Sequence, residues 1–115
     1  MKTDVYYYTT TDGKSPFVKF LNSLQKPAAA KVIRLIAQIN QYGMLSILPH
    51  TKKLTGTPLW EIRILGKDNI RVLYVTRQEH AIIVLHGFVK KTQETPSNEL
   101  NIAMKRLQEV QKIVV

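Results

Sequence analysis

The 115-residue chain contains no cysteine and has few acidic residues. Without cysteine it can form neither a disulfide bond nor a thiolate metal site, so a reducing compartment is permitted. No apolar run approaches the length needed to cross a membrane, and the first ten residues are polar and aromatic. The sequence therefore predicts a cytoplasmic protein that does not associate with membranes.

The shortage of acidic residues gives the chain a strong positive charge. Eight Asp and Glu residues stand against 17 Lys and Arg residues, for a net charge of +9. Residues 51–91 hold eight of the basic and three of the acidic residues, a net of +5, whereas residues 92–115 hold three of each. Such a field favours a polyanion such as nucleic acid. Solubility or an acidic protein partner would account for the same charge.

Length and apolar periodicity predict one domain, residues 1–115, with an α+β fold. The predicted order is β-α-α-β-β-β-α, with residues 44–58 as a loop and a last helix starting near Thr95. Two N-terminal helices, opened by Ser15-Pro16 and by Pro27, are expected to pack on one face of a curved antiparallel sheet. The other face is then open to water, wholly or in part.

Strand alternation sorts the residues of the three central strands between the two faces of the sheet. In the strand 59–65, Ile62 and its apolar neighbours suit a core, while Glu61 and Arg63 share the opposite face and suit an accessible surface. Arg71 interrupts an otherwise apolar strand, so it needs a partner or a route to water. It either pairs with Glu61 across the hairpin or faces an anionic ligand.

Several sequence segments resemble the HigB-like branch of the RelE/ParE toxin superfamily. They are LWEIR at 59–63, RVLY at 71–74 and LHGFVKKTQETP at 85–96, followed by Glu99, Ala103 and Arg106. The resemblance covers nearly the whole chain, because the order of elements also matches. It implies a RelE-like fold of the microbial RNase type, the toxin half of a type II toxin–antitoxin pair, and a HigA-like antitoxin with a helix-turn-helix domain.

The resemblance also implies an activity and a set of site residues. The activity is cleavage of mRNA on the ribosome, with no metal and no cofactor. Arg63 and Arg71 match basic positions of the family on two strands, and a basic position at the next strand end falls on Lys90 or Lys91, with Lys91 the better alignment. The chain departs from the pattern in having no tyrosine after Tyr74, the family's last helix often carrying one.

Cleavage of this kind uses the substrate's 2′-hydroxyl as nucleophile and requires a base, an acid and stabilisation of a dianionic phosphorane. Arg71 is the first choice for holding the phosphate and Arg63 the second. Lys90 or Lys91 is the candidate acid, and Glu61 either the base or a group that orients Arg71.

Histidine offers a further candidate for proton transfer, because its pKa lies near neutrality. His86 follows an apolar run, however, and a buried, hydrogen-bonded histidine is an equally open interpretation. Contacts to RNA phosphates are expected from a separate set of cations. These are Lys52, Lys53, Lys67 and Arg77.

Two other functions remain open from the sequence. One is a ParE-type toxin, in which the same fold poisons DNA gyrase without cutting RNA; such chains tend to lack the strand cations present here. The other is a non-catalytic RNA-binding relative, which the absence of a late tyrosine favours.

Overall fold

A computed structural model of the chain describes residues 2–78, 80–91 and 95–113, with side chains described as far as residue 110. The predicted α+β class is confirmed. The elements in chain order are β1 (Asp4–Tyr7), α1 (Pro16–Ser23), α2 (Lys26–Tyr42), a 3-10 helix (Met44–His50), β2 (Thr51–Lys53), β3 (Trp60–Ile64), β4 (Ile70–Arg77), β5 (Ala81–Val89) and α3 (Ser97–Ile113).

The ends of the first two helices follow from local sequence. The side chain of Ser15 caps α1 by accepting a hydrogen bond from the backbone N–H of Val18 at 3.4 Å, and Pro16 occupies the first turn. Pro27 lies in the first turn of α2. Gly43 ends that helix at φ 94°, a conformation that L side chains rarely adopt.

The five strands form one sheet in the order β1-β5-β4-β3-β2. The pairs from β2 to β5 are antiparallel, but β1 lies parallel to β5, so the sheet is mixed. The prediction of a loop over 44–58 is wrong in part, because this stretch contains the 3-10 helix and the short edge strand β2. Three residues are too few for a periodic signal, and the strand exists because it pairs with β3.

Two apolar layers hold the helices to opposite faces of the sheet. On one face, Phe17 of α1 and Val32, Ile36 and Ile39 of α2 pack with the sheet. On the other face, α3 packs through a set of residues that includes Ala103 and Leu107. The second face is therefore only partly covered, and it stays open towards β2 and β3 and beside the end of β4 next to β1. Because β4 is apolar on both faces, it lies at the centre of both layers.

The pairing of β4 with β5 contains a bulge that turns one strand. Leu73 lies opposite His86 while Tyr74 lies opposite Val84, so Leu85 is an extra residue in β5. Strict alternation predicts that Leu85 and His86 point to opposite faces. That prediction is wrong, since Leu85 packs in the layer with α3 and His86 contacts α3 as well.

On the other face of β5, α1 packs closely against the strand at Gly87. A methyl group on Gly87 would meet the rings of Phe17 and Phe20 at 2.6–2.9 Å. Helix α1 can therefore lie this close to the sheet only because residue 87 is a glycine. Within the described part of the chain, no helix is both long enough and apolar enough to span a membrane.

Candidate functional site

The face of the sheet that α3 half-covers brings the predicted polar residues together in two adjacent cross-strand rows. The first row, from β2 to β5, is Lys52, Glu61, Leu73 and His86. The second row, from β3 to β5, is Arg63, Arg71 and Phe88. Lys90 continues this face, because its backbone N–H pairs with the carbonyl of Asn69 one step beyond the ladder.

Glu61 and Arg71 form a buried ion pair between β3 and β4. The Nε atom of Arg71 lies 3.3 Å from Oε1 of Glu61, and the residues are 7% and 1% exposed. The contact is an ion pair without the angle of a hydrogen bond, and Nη1 of Arg71 donates instead to the Ile70 carbonyl at 3.1 Å. The prediction that Glu61 is accessible is wrong, because Arg71 of β4 and Thr95 enclose its carboxylate from two sides. Arg63, directly opposite Arg71, is exposed as predicted.

An open cleft of about 540 Å³ lies over this end of the sheet. Its lining includes Glu61 at the base, Lys52 and Lys90 as the cations, and Thr95 from the segment leading into α3. Thr95 donates a hydrogen bond from its hydroxyl to Oε2 of Glu61 at 2.7 Å. Thr95 and Arg71 therefore hold the two carboxylate oxygens from two sides, which fixes the carboxylate in a positively charged cleft.

The remaining predicted cations lie elsewhere. Lys91 is exposed beyond the end of β5 and does not line the cleft. Lys53 points to the opposite face, with its Nζ 5.9 Å from the centroid of the Trp60 ring. Lys67 lies in the β3–β4 hairpin near the start of α2, and Arg77 at the far end of β4. Of the four predicted RNA-contacting residues, only Lys52 belongs to the cleft.

His86 is held by α3 through both ring nitrogens. Its Nε2 lies 3.1 Å from Oε1 of Glu99, and its Nδ1 lies 3.2 Å from Nη1 of Arg106, which also donates to the Leu85 carbonyl at 2.9 Å. Since arginine only donates, the neutral ring that satisfies both neighbours carries its proton on Nε2 and donates to Glu99. This arrangement favours the interpretation of His86 as a hydrogen-bonded structural residue.

The same network extends to the end of β1. The guanidinium of Arg106 lies over the ring of Tyr8, 5.2 Å from its centroid, and the Tyr8 hydroxyl donates to the Glu109 carboxylate. That hydrogen bond and burial raise the pKa of Tyr8. A tyrosine thus lies beside the last helix, although it comes from the residue that follows β1.

Burial lowers the pKa of His86 below 6.5, against the opposing influence of Glu99 and with a smaller contribution from the charge of Arg106. Between 6.5 and the lower folded value, the unfolded chain binds the proton more strongly than the folded chain does. The free energy of unfolding should therefore fall as the pH drops below about 6.5, by at most about 1.4 kcal/mol per pH unit from this one group.

Urea denaturation between pH 5.5 and 7.5 measures this dependence. His86→Gln is expected to flatten the slope, while the matched control His50→Gln, at an exposed histidine, keeps it. An unchanged slope in His86→Gln would show that other groups cause the acid sensitivity.

Sequence reasoning missed Thr95 and Tyr8 as parts of these networks. Both contacts join residues far apart in the chain, 34 residues for Thr95 with Glu61 and 101 for Tyr8 with Glu109. The only available signal was the position of Thr95 in the segment that resembles the toxin family. Thr92, Gln93 and Glu94 of that segment lie outside the described residues.

Comparison with known proteins identifies the class of protein to which this fold and site belong. The family model described as "Phage derived protein Gp49-like (DUF891)" matches residues 19–108, well over half of the chain. The chain belongs to this family, whose members are toxin-like proteins of toxin–antitoxin systems. No match was found among the curated proteins.

Proposed function

We propose that the chain is the toxin of a type II toxin–antitoxin system, in the HigB-like branch of the RelE superfamily, and that it is a metal-independent endoribonuclease acting on mRNA at the ribosome. The observation that supports this most is a single cleft lined by a fixed carboxylate, Glu61, and by two cations, Lys52 and Lys90. A base beside cations suits attack of a hydroxyl on a phosphate, because negative charge develops on the phosphorane as the proton leaves.

In the proposed reaction, the substrate's 2′-hydroxyl replaces the Thr95 hydroxyl at Oε2 of Glu61, and this oxygen accepts its proton. The 2′-oxygen then forms a bond to the adjacent phosphorus, and the bond from phosphorus to the 5′-oxygen breaks. Lys90 donates a proton to that leaving oxygen, and the products are a 2′,3′-cyclic phosphate and a 5′-hydroxyl. Lys52 stabilises the charge on the phosphorane, and the exposed Arg63 binds a neighbouring phosphate of the RNA.

Arg71 has a different role in this proposal from the one its sequence position suggests. It is buried and paired with Glu61, so it is a positioning residue that orients the carboxylate. His86 is likewise a positioning residue for α3, because both of its ring nitrogens have protein partners.

The test is cleavage of an mRNA by the purified protein with and without translating ribosomes, in the presence of a chelator. We expect ribosome-dependent fragments that carry a 5′-hydroxyl, and their loss in Glu61→Gln, whose folding is checked by circular dichroism because the change leaves Arg71 without its charge partner. RNA binding by Glu61→Gln is measured alongside cleavage and is expected to persist. Uncut mRNA with every folded preparation would refute the nuclease proposal.

A non-catalytic RNA-binding relative is the second candidate. The observation that favours it is the sealing of Arg71 against Glu61, which removes one arginine from contact with a ligand. That candidate predicts RNA binding without new 5′ ends. A ParE-type activity would appear in the same preparations as inhibition of gyrase supercoiling.

A further inference from the structure

A second cavity, of about 640 Å³, lies on the same face of the sheet at the opposite end of β4. Its volume is in the range of sites for small organic ligands. Arg77 is six residues from Arg71 along β4, so the two sites are about 20 Å apart. The lining residues are Asp4, Tyr6, Arg77, Gln78, His80, Ala81 and Ile83.

Strand register explains why a recess forms here. Asp4, Ala81 and Arg77 lie side by side in one cross-strand row, so a methyl group occupies the position between an acid and a cation. The backbones of Asp4 and Arg77 are two strand spacings apart, about 10 Å. At that separation a ligand fits between the two side chains, above Ala81.

Two side chains of this cavity offer groups for a ligand to contact, a donor of Arg77 and the ring of Tyr6. Nη2 of Arg77 is buried and has no hydrogen-bond partner among the described residues, although an unsatisfied buried donor is destabilising. The ring of Tyr6 is 57% exposed, whereas the ring of the next residue, Tyr7, stacks on Phe17 on the opposite face of the sheet. The turn between β4 and β5, beside Arg77, holds Gln78 at φ 53°, in the left-handed region.

We propose that this cavity binds one nucleotide, with its base stacked on Tyr6 and its phosphate paired with Arg77. An aromatic ring stacks on any base, and the guanidinium fork matches phosphate oxygens. The carboxylate of Asp4 accepts a hydrogen bond from an exocyclic amino group, which favours cytosine over uracil. The nucleotide comes from one of two sources. It is either part of the RNA substrate, an alternative that rests on the proposed function, or a free mononucleotide.

Titration of ¹⁵N-labelled protein, followed by amide shifts of Ala81 and Ile83, tests the proposal. The two ligands are cytidine 5′-monophosphate and a hexanucleotide with 2′-O-methyl groups, which cannot undergo 2′-hydroxyl attack. We expect both to shift these amides. Shifts with the mononucleotide alone would identify a free nucleotide as the source. No shift at millimolar mononucleotide would overturn the proposal.

Matched variants assign the contacts. Tyr6→Ala should weaken binding about five- to hundredfold, as loss of one stacked base does, while Tyr6→Phe keeps it. The control Tyr42→Ala, at a tyrosine that is 60% exposed on α2, should leave affinity within about twofold. Equal affinity of Tyr6→Ala and wild type would refute the stacking.

The phosphate contact has a chemical control. Arg77→Gln should weaken cytidine 5′-monophosphate but not cytidine, and Arg34→Gln, at an exposed arginine of α2, should change neither. Equal losses for both ligands would exclude a phosphate contact.

Failure of this proposal is distinguishable from failure of the nuclease. If the protein binds no nucleotide but still cleaves mRNA, only the proposal of a second site is refuted, because the cleft residues do not belong to that site. If the protein binds the nucleotide but cleaves no mRNA, only the nuclease proposal is refuted. The second site is then a site for a free nucleotide.

Discussion

Lys90→Gln is expected to lower mRNA cleavage by about two to four orders of magnitude, which is the usual contribution of a positioned acid or base. Lys90 lines the cleft with Glu61 and Lys52, so its loss removes both a cation and a proton donor from the leaving oxygen. Glutamine keeps much of the length of the side chain. Single-turnover cleavage at saturating protein measures the chemical step apart from binding.

Lys91→Gln is the matched control, because it changes an identical residue next in the chain. Lys91 is exposed and outside the cleft, so its replacement should change cleavage by less than about threefold. The family resemblance favours Lys91 over Lys90, and the geometry of the cleft favours Lys90. A large loss in Lys91→Gln with normal cleavage by Lys90→Gln would reverse our assignment.

Arg71→Met should destabilise the fold by about 3–5 kcal/mol, because it leaves the Glu61 carboxylate buried without its charge partner. This is a large part of the total of about 5–15 kcal/mol typical of such a chain. Urea denaturation followed by circular dichroism measures the change. The double variant Glu61→Leu with Arg71→Met should recover most of the loss, since it removes both buried charges.

Arg63→Met separates the effect of burial from that of position. Arg63 lies directly opposite Arg71 on the same face but is exposed, so its replacement should change stability by no more than about 0.5 kcal/mol. Similar losses in Arg63→Met and Arg71→Met would contradict the assignment of the buried pair as the stabilising contact.

The candidate site was predictable from the sequence where strand alternation is regular. Arg63, Arg71 and Lys90 share one face, as their spacing within three neighbouring strands requires. Alternation gives the face of a residue but neither its height above the sheet nor what covers it. Glu61 and Arg63 share a face, yet one is 1% exposed and the other is exposed.

The bulge at Leu85 is a second feature that the sequence did not predict. It inserts one residue into β5 and turns His86 towards Glu99 and Arg106 of α3. No local pattern announces this extra residue, because the run from Ala81 to Val89 is apolar throughout apart from His86 and Gly87. The bulge depends on how β5 fits β4 while packing helices on both faces.

By itself, the sequence determined the α+β class, the helix starts at Ser15 and Pro27, the three long strands and the excess of positive charge. These follow from periodicity, capping and composition, which are local properties. Only the tertiary structure decided that α3 covers half of the second face, that Glu61 and Arg71 seal against each other, and that Lys90 instead of Lys91 lines the cleft. The physical reason is that burial and charge pairing depend on which distant segments pack together, and a linear pattern does not specify those contacts.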